Sequence, residues 1–139
     1  MSAIYTAEVT SSGDGRNGAV KSSDGLIDFP VAAPKELGGA GGATNPEQLF
    51  AAGFAACFHS ALRMIARRDK LDLGASTVTA KVGLGRAEGT PALGLSVILE
   101  VALPTVDETA AKALTDAAEQ ACPYSNATRG NIDVQIIHI

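Results

Sequence analysis

Side chains that staple a fold or carry chemistry are scarce in this sequence. Tryptophan is absent, aromatics make up 4% of 139 residues, and there are only two cysteines and two histidines. Two cysteines exclude a disulfide-dense secreted scaffold. The net charge is −4, and no dense basic cluster exists for the backbone of a nucleic acid to bind. Only Arg67, Arg68 and Lys70 crowd together, near a helix end where cations complement the dipole. Although 46% of residues are apolar, no uninterrupted apolar run approaches the ~20 residues that span a bilayer, so no membrane partner is expected. The opening Met1-Ser2-Ala3-Ile4-Tyr5 has neither the basic flank nor the apolar stretch of a secretory signal. The expected location is the cytoplasm, where a cysteine pair is more often catalytic, redox-sensing or metal-binding than structural.

The length fits a single domain over residues 1–139 with a real core, and is too short for two ordinary ones. Residues 3–10 alternate weakly with period two, as a strand would. Ser22-Ser23-Asp24-Gly25 separates two short strand-like runs and reads as a hairpin, because Asp-Gly supplies the positive φ that such turns need. Pro-, Ala- and Gly-rich irregular chain follows, ending in Gly38-Gly39-Ala40-Gly41-Gly42. Thr44-Asn45-Pro46-Glu47 then opens the strongest helix: an oxygen side chain to cap, a proline for the first turn, an acid for the positive end of the dipole. Gly74 marks its expected end.

Residues 77–84 and 93–103 alternate as two strands joined by Glu88-Gly89-Thr90-Pro91. A second helix is expected from about residue 105, with Ala110, Ala113, Leu114, Ala117 and Ala121 on its packed face and Pro123 as its stop. Residues 132–139 make a closing strand. The predicted class is α+β, a mostly antiparallel sheet packed with two main helices. The first helix is apolar around most of its circumference, more than one small sheet and an alanine-rich helix can cover. A homodimer that buries it between subunits is expected.

Cys57 lies in the first helix, within Phe54-Ala55-Ala56-Cys57-Phe58-His59, and Cys122 ends the second. A lone helical cysteine is usually a small hydrophobe. Small residues around Cys57, and a second cysteine at another helix end, favour a reactive pair. Apolar surroundings raise a thiol pKa, so a reactive Cys57 needs a cation, and Arg16, set between Gly15 and Gly18, is the candidate. Glu47 stands ten residues before Cys57, ~15 Å along the helix axis. It is either an ordinary first-turn carboxylate or the partner that orients Arg16, and spacing does not choose.

Cys57, His59, Cys122 and His138 have the ligand types for zinc. Cys57 and His59, however, project about 200° apart on a helix, so no metal site is expected. The glycines of 38–42 lack the Lys-Ser/Thr of a phosphate-binding loop. Adjacent His59 and Ser60 give no hydrolase geometry. The residues by themselves leave two classes, a thiol enzyme and a non-enzymatic redox sensor or ligand-binding protein that uses the same disulfide as a switch.

Gly42-Ala43-Thr44-Asn45-Pro46-Glu47-Gln48-Leu49-Phe50-Ala51-Ala52-Gly53, Ala56-Cys57-Phe58, and Cys122-Pro123-Tyr124-Ser125-Asn126-Ala127-Thr128-Arg129-Gly130-Asn131 closely resemble the organic hydroperoxide resistance proteins of the OsmC superfamily. The last stretch is similar to this subfamily rather than to the OsmC branch proper. The resemblance implies an intertwined α+β homodimer with two active sites at the subunit interface, reducing alkyl and fatty-acid hydroperoxides. It implies that Cys57 is the peroxidatic cysteine, Cys122 the resolving one, Arg16 the assisting arginine and Glu47 the glutamate that holds it. No bound cofactor is implied; the external reductant is dihydrolipoamide or a lipoylated protein. An apolar pocket between the first helix and the Pro/Gly-rich loop would favour alkyl peroxides. One position departs from the family pattern: Glu119 stands where a histidine commonly precedes the resolving cysteine by three residues.

Overall fold

The structure, a computed structural model, describes residues 1–139 as two compact units, 1–49 and 50–139. The first unit holds a three-stranded antiparallel sheet of β1 (Val9–Ser12), β2 (Ala19–Ser22) and β3 (Asp28–Pro30), in the order β1-β2-β3. The expected hairpin is present: Ala19 pairs with Pro30 and Lys21 with Asp28. Its turn is held locally. Asp24 Oδ1 accepts the Leu26 N–H at 3.0 Å, Ser22 Oγ accepts the Ile27 N–H at 2.9 Å, and Gly25 takes φ 77°. The alternation over residues 3–10 does not become a strand until Val9. Its side chains are exposed on both sides, so no buried face selects extended pairing.

Helix α1 (Pro46–Arg68) begins in the first unit and runs through the second. Asn45 caps it by accepting the Gln48 N–H at 2.9 Å, and Pro46 fills the first turn, where its missing N–H costs nothing. The helix stops at Arg68, six residues short of Gly74. Lys70 takes the left-handed conformation at φ 57°, and the Leu71 N–H closes back on the Ala66 carbonyl at 2.8 Å. By length and composition α1 is apolar enough to cross a membrane, which counting uninterrupted runs did not reveal. Its Phe54, Phe58, Leu62 and Ile65 instead form the core of the second unit.

That unit's sheet has the order β4-β5-β6, from β4 (Thr77–Arg86), β5 (Leu93–Ala102) and β6 (Asp133–His138). Strands β4 and β5 are antiparallel as expected, whereas β6 runs parallel to β5. The helical segment between β5 and β6 supplies the crossover that parallel pairing requires. It comprises α2 (Glu108–Ala121) and a short α3 (Pro123–Thr128). Pro123 therefore ends one helix and starts another. The packed face of α2 is Ala111, Leu114, Thr115 and Ala118; Ala113 and Ala121 are exposed. The core closes with Val97, Leu99 and Val101 from β5. The architecture is α+β with two three-stranded sheets, one in each unit, where a single sheet was expected.

Candidate active site

The four residues singled out in the sequence fall into two pairs. In the first unit, Arg16 stands in a single helical turn, Gly15–Asn17, between β1 and β2, and Glu47 occupies the first turn of α1. Arg16 Nη1 donates to Glu47 Oε2 at 2.9 Å and Nη2 to Oε1 at 2.7 Å, a two-pronged fork matching the planes of both groups. The spacing ambiguity at Glu47 thus ends in an ion pair. Hydrogen bonding to Arg16 holds the Glu47 carboxyl below its usual range against the opposing effect of burial, and Glu47 in turn raises the Arg16 guanidinium.

In the second unit, Cys57 is half-buried on α1, and Cys122 is fully buried at the elbow between α2 and α3. Both are free thiols, with Cys122 Sγ donating to Cys57 Sγ at 3.2 Å. A disulfide needs about 2.05 Å, so closing the bond asks for a shift of only about an ångström. Burial pushes the Cys57 thiol pKa up; the Tyr124 backbone pulls it down, and Cys122 pushes it up again, leaving it raised. Within one chain, then, the surroundings of Cys57 favour the thiol over the thiolate.

An aromatic group lies on α1 beside this pair. Tyr124 packs against Phe50 and Phe54 with ring centroids 6.1 and 5.7 Å away. Its ring sits on Gly53, where a Cβ would lie 2.6 Å from the tyrosine hydroxyl, so the close approach requires glycine. Gly53 is one turn before Cys57, which places the aromatic surface on the same face of the helix as the thiol. In the first unit, the Pro/Gly-rich segment walls an apolar cavity of about 440 Å³ with Phe29, Pro30, Gly42, Ala43 and Thr44.

The two histidines are engaged elsewhere. His59 Nε2 lies 2.9 Å from Ser76 Oγ, which also accepts from Arg63, and His138 Nε2 lies 3.2 Å from Thr115 Oγ1. Burial, reinforced by Arg63, lowers the His59 pKa. The Tyr124 amide was missed from sequence. Its signal was the proline before it, which opens a new helix whose first amides have no partner inside it.

With this geometry in hand, known proteins decide the family. The OsmC-like protein family profile matches residues 39–137. The chain belongs to the OsmC-like family, in its organic hydroperoxide resistance branch. The organic hydroperoxide resistance protein of Xanthomonas axonopodis pv. citri (strain 306) is 50% identical over 135 residues, covering 96% of this chain and 93% of that protein. Organic hydroperoxide resistance protein OhrB of Bacillus subtilis (strain 168) is 43% identical, over 96% of this chain and 97% of its own length. Among OsmC-like folds of known structure, the organic hydroperoxide resistance protein from Elizabethkingia anophelis superposes with a TM-score of 0.93 at 49% identity, covering 99% of this chain and 98% of that one.

Proposed function

We propose that this chain is a cysteine-based peroxidase that reduces alkyl and fatty-acid hydroperoxides to alcohols and so protects the cytoplasm against organic peroxide stress. The observation that carries the reading is the reduced Cys57–Cys122 pair at 3.2 Å, unbonded but within reach of a disulfide, in a chain whose relatives are organic hydroperoxide resistance proteins.

The Cys57 thiolate attacks the terminal peroxide oxygen. The O–O bond breaks, the alkoxide leaves and takes a proton, and Cys57 becomes a sulfenic acid. The Cys122 sulfur then displaces hydroxide from the sulfenic sulfur, and its own proton completes a water molecule as the disulfide forms. A dihydrolipoyl dithiol, from dihydrolipoamide or a lipoylated protein, reduces the disulfide by two exchange steps and is itself oxidised to the cyclic disulfide. No bound cofactor takes part.

The raised pKa of Cys57 gives Arg16 its role. A guanidinium beside the sulfur stabilises the thiolate and the charge that grows on the leaving oxygen, and Glu47 holds the guanidinium in orientation. The Arg16–Glu47 pair is assigned to a site completed by a second copy of the chain, so that each homodimer carries two composite sites. A helix apolar enough to span a membrane, yet only one-third buried along that apolar stretch, supports a second copy packed upon it. The Phe50 and Tyr124 rings beside Cys57, backed by the buried Phe54, fit an alkyl chain better than hydrogen peroxide.

Steady-state turnover tests the reading. With cumene hydroperoxide and dihydrolipoamide, many turnovers per chain are expected; Cys57→Ser abolishes consumption, and Cys122→Ser forms a trapped sulfenic acid without closing a disulfide. One oxidation per cysteine pair, with no recycling by any dithiol, would show a sensor in place of an enzyme.

A further inference from the structure

The elbow that carries Cys122 is built from one missing hydrogen-bond donor. In an uninterrupted helix the Glu119 carbonyl would accept the N–H of residue 123, but residue 123 is proline and has none. Cys122 takes an extended conformation at ψ 120°, and the chain restarts as α3. The break releases two polar groups. The Tyr124 backbone, at the start of α3, acts to lower the pKa of Cys57 against the effect of burial. The Glu119 carbonyl, freed at the end of α2, accepts from Arg129 Nη2 at 2.9 Å.

Arg129 follows α3, and its other prong, Nη1, donates to Asn126 Oδ1 at 2.9 Å. A single guanidinium therefore ties the last turn of α2 to the short helix beyond the elbow. A cation at that carbonyl end also complements the dipole of α2, whose last turn has no other basic residue. The helix α3 has only six residues, too few to keep its own geometry without such ties.

We infer that Arg129 is a positioning residue for the resolving step, clamping the α2–α3 elbow so that Cys122 stays within disulfide reach of Cys57. The inference rests on the peroxidase reading above and deepens it. Arg129 does not enter the peroxide reaction itself. Forming the sulfenic acid needs Cys57; closing the disulfide needs Cys122 held where the elbow puts it. Misplacement of a reacting group by about an ångström costs on the order of a hundredfold in rate, and a frayed six-residue helix is free to move that far.

Arg129→Ala and Arg129→Lys separate the two steps. The full-length variants and parent are mixed with one equivalent of cumene hydroperoxide, quenched over time, and analysed by mass spectrometry for trapped Cys57 sulfenic acid and for the Cys57–Cys122 disulfide. Arg129→Ala is expected to form sulfenic acid at the parent rate and close the disulfide roughly tenfold or more slowly; in a second run with excess peroxide, its Cys57 goes on to sulfinic acid. Arg129→Lys, which keeps a donor for the Glu119 carbonyl but loses the fork, falls between the two. It also serves should the alanine variant not fold. Disulfide closure at the parent rate in the folded variants, even with a lowered Tm, would reduce Arg129 to a helix cap and overturn the inference while leaving the peroxidase reading intact. Absence of both peroxide-dependent sulfenic acid and disulfide in the parent would overturn that reading and the inference with it.

Discussion

Among the buried polar side chains, Ser125 is the one whose hydroxyl has no partner: it sits in α3 with its Oγ fully enclosed. Thr128, on the same helix, shows the usual solution, donating to the Tyr124 carbonyl at 2.9 Å. An enclosed, unpaired hydroxyl carries its desolvation cost with nothing in return, about 1–3 kcal/mol. Ser125→Ala should therefore stabilise the fold by about 1 kcal/mol, raising Tm by roughly 3 °C, whereas Thr115→Val, which removes the acceptor facing His138, should lower it. A drop in Tm for Ser125→Ala of similar size would mean that the hydroxyl is paired in the folded protein. Nothing in the sequence marks Ser125 as different from Ser60, which bonds the Ala56 carbonyl at 2.7 Å; only the neighbours decide whether a hydroxyl finds a partner. Cys57 and Cys122, by contrast, stand out in the sequence because nothing else there is a thiol.

Helix α1 was legible from its first residues because Asn45, Pro46 and Glu47 each satisfy a different requirement of a helix start. Helix α2 was legible in existence but not in orientation. Its alanines lie on every side, so Ala110, Ala113 and Ala117 contrast too little with Ala111 and Ala118 to show which stripe is packed. Helix α3 was hidden because proline serves both as a stop and as a first residue. Spacing alone did not decide the pairing at the head of α1, since Arg16 and Glu47 are 31 residues apart; the family resemblance implied it. That pairing has a pH signature. Because Arg16 holds the folded-state pKa of Glu47 below its unfolded value, the stabilisation is fully present above the unfolded value near 4.5 and is lost as pH falls through the lowered folded value. With the Arg16 side chain 40% exposed and that of Glu47 15%, solvent screening limits the gain to about 1 kcal/mol. Urea unfolding should show Glu47→Gln less stable than the parent by about this amount at pH 7, the two curves converging well below pH 4. A gap that persists unchanged to the lowest pH would mean that the carboxylate charge contributes nothing.

At the level of the assembled molecule, the proposed composite site takes its guanidinium from one copy of the chain and its thiols from another. Within one chain Arg16 pairs with Glu47 in the first unit, and Cys57 with Cys122 in the second. Along α1 the residues Ala52, Ala56, Ser60 and Met64 form an exposed row, with Met64 more than half exposed, while the Phe54 row is spent on the core. Small side chains in such a row allow close approach of a second helix. If the proposed dimer forms there and its sites are composite, two inactive variants should complement each other. A Cys57→Ser chain keeps Arg16, and an Arg16→Ala chain keeps both cysteines. In a mixed dimer, one site would recover the guanidinium of the first chain and the thiols of the second, while the other site loses both. Mixed dimers isolated by two affinity tags should then show about half the parental turnover per dimer, as one working site of two requires. Each homodimer of a single variant should fall far below that level. Mixed dimers no more active than the Arg16→Ala homodimer would mean that each chain serves its own thiol, and the Arg16–Glu47 pair would have to reach Cys57 within a single copy.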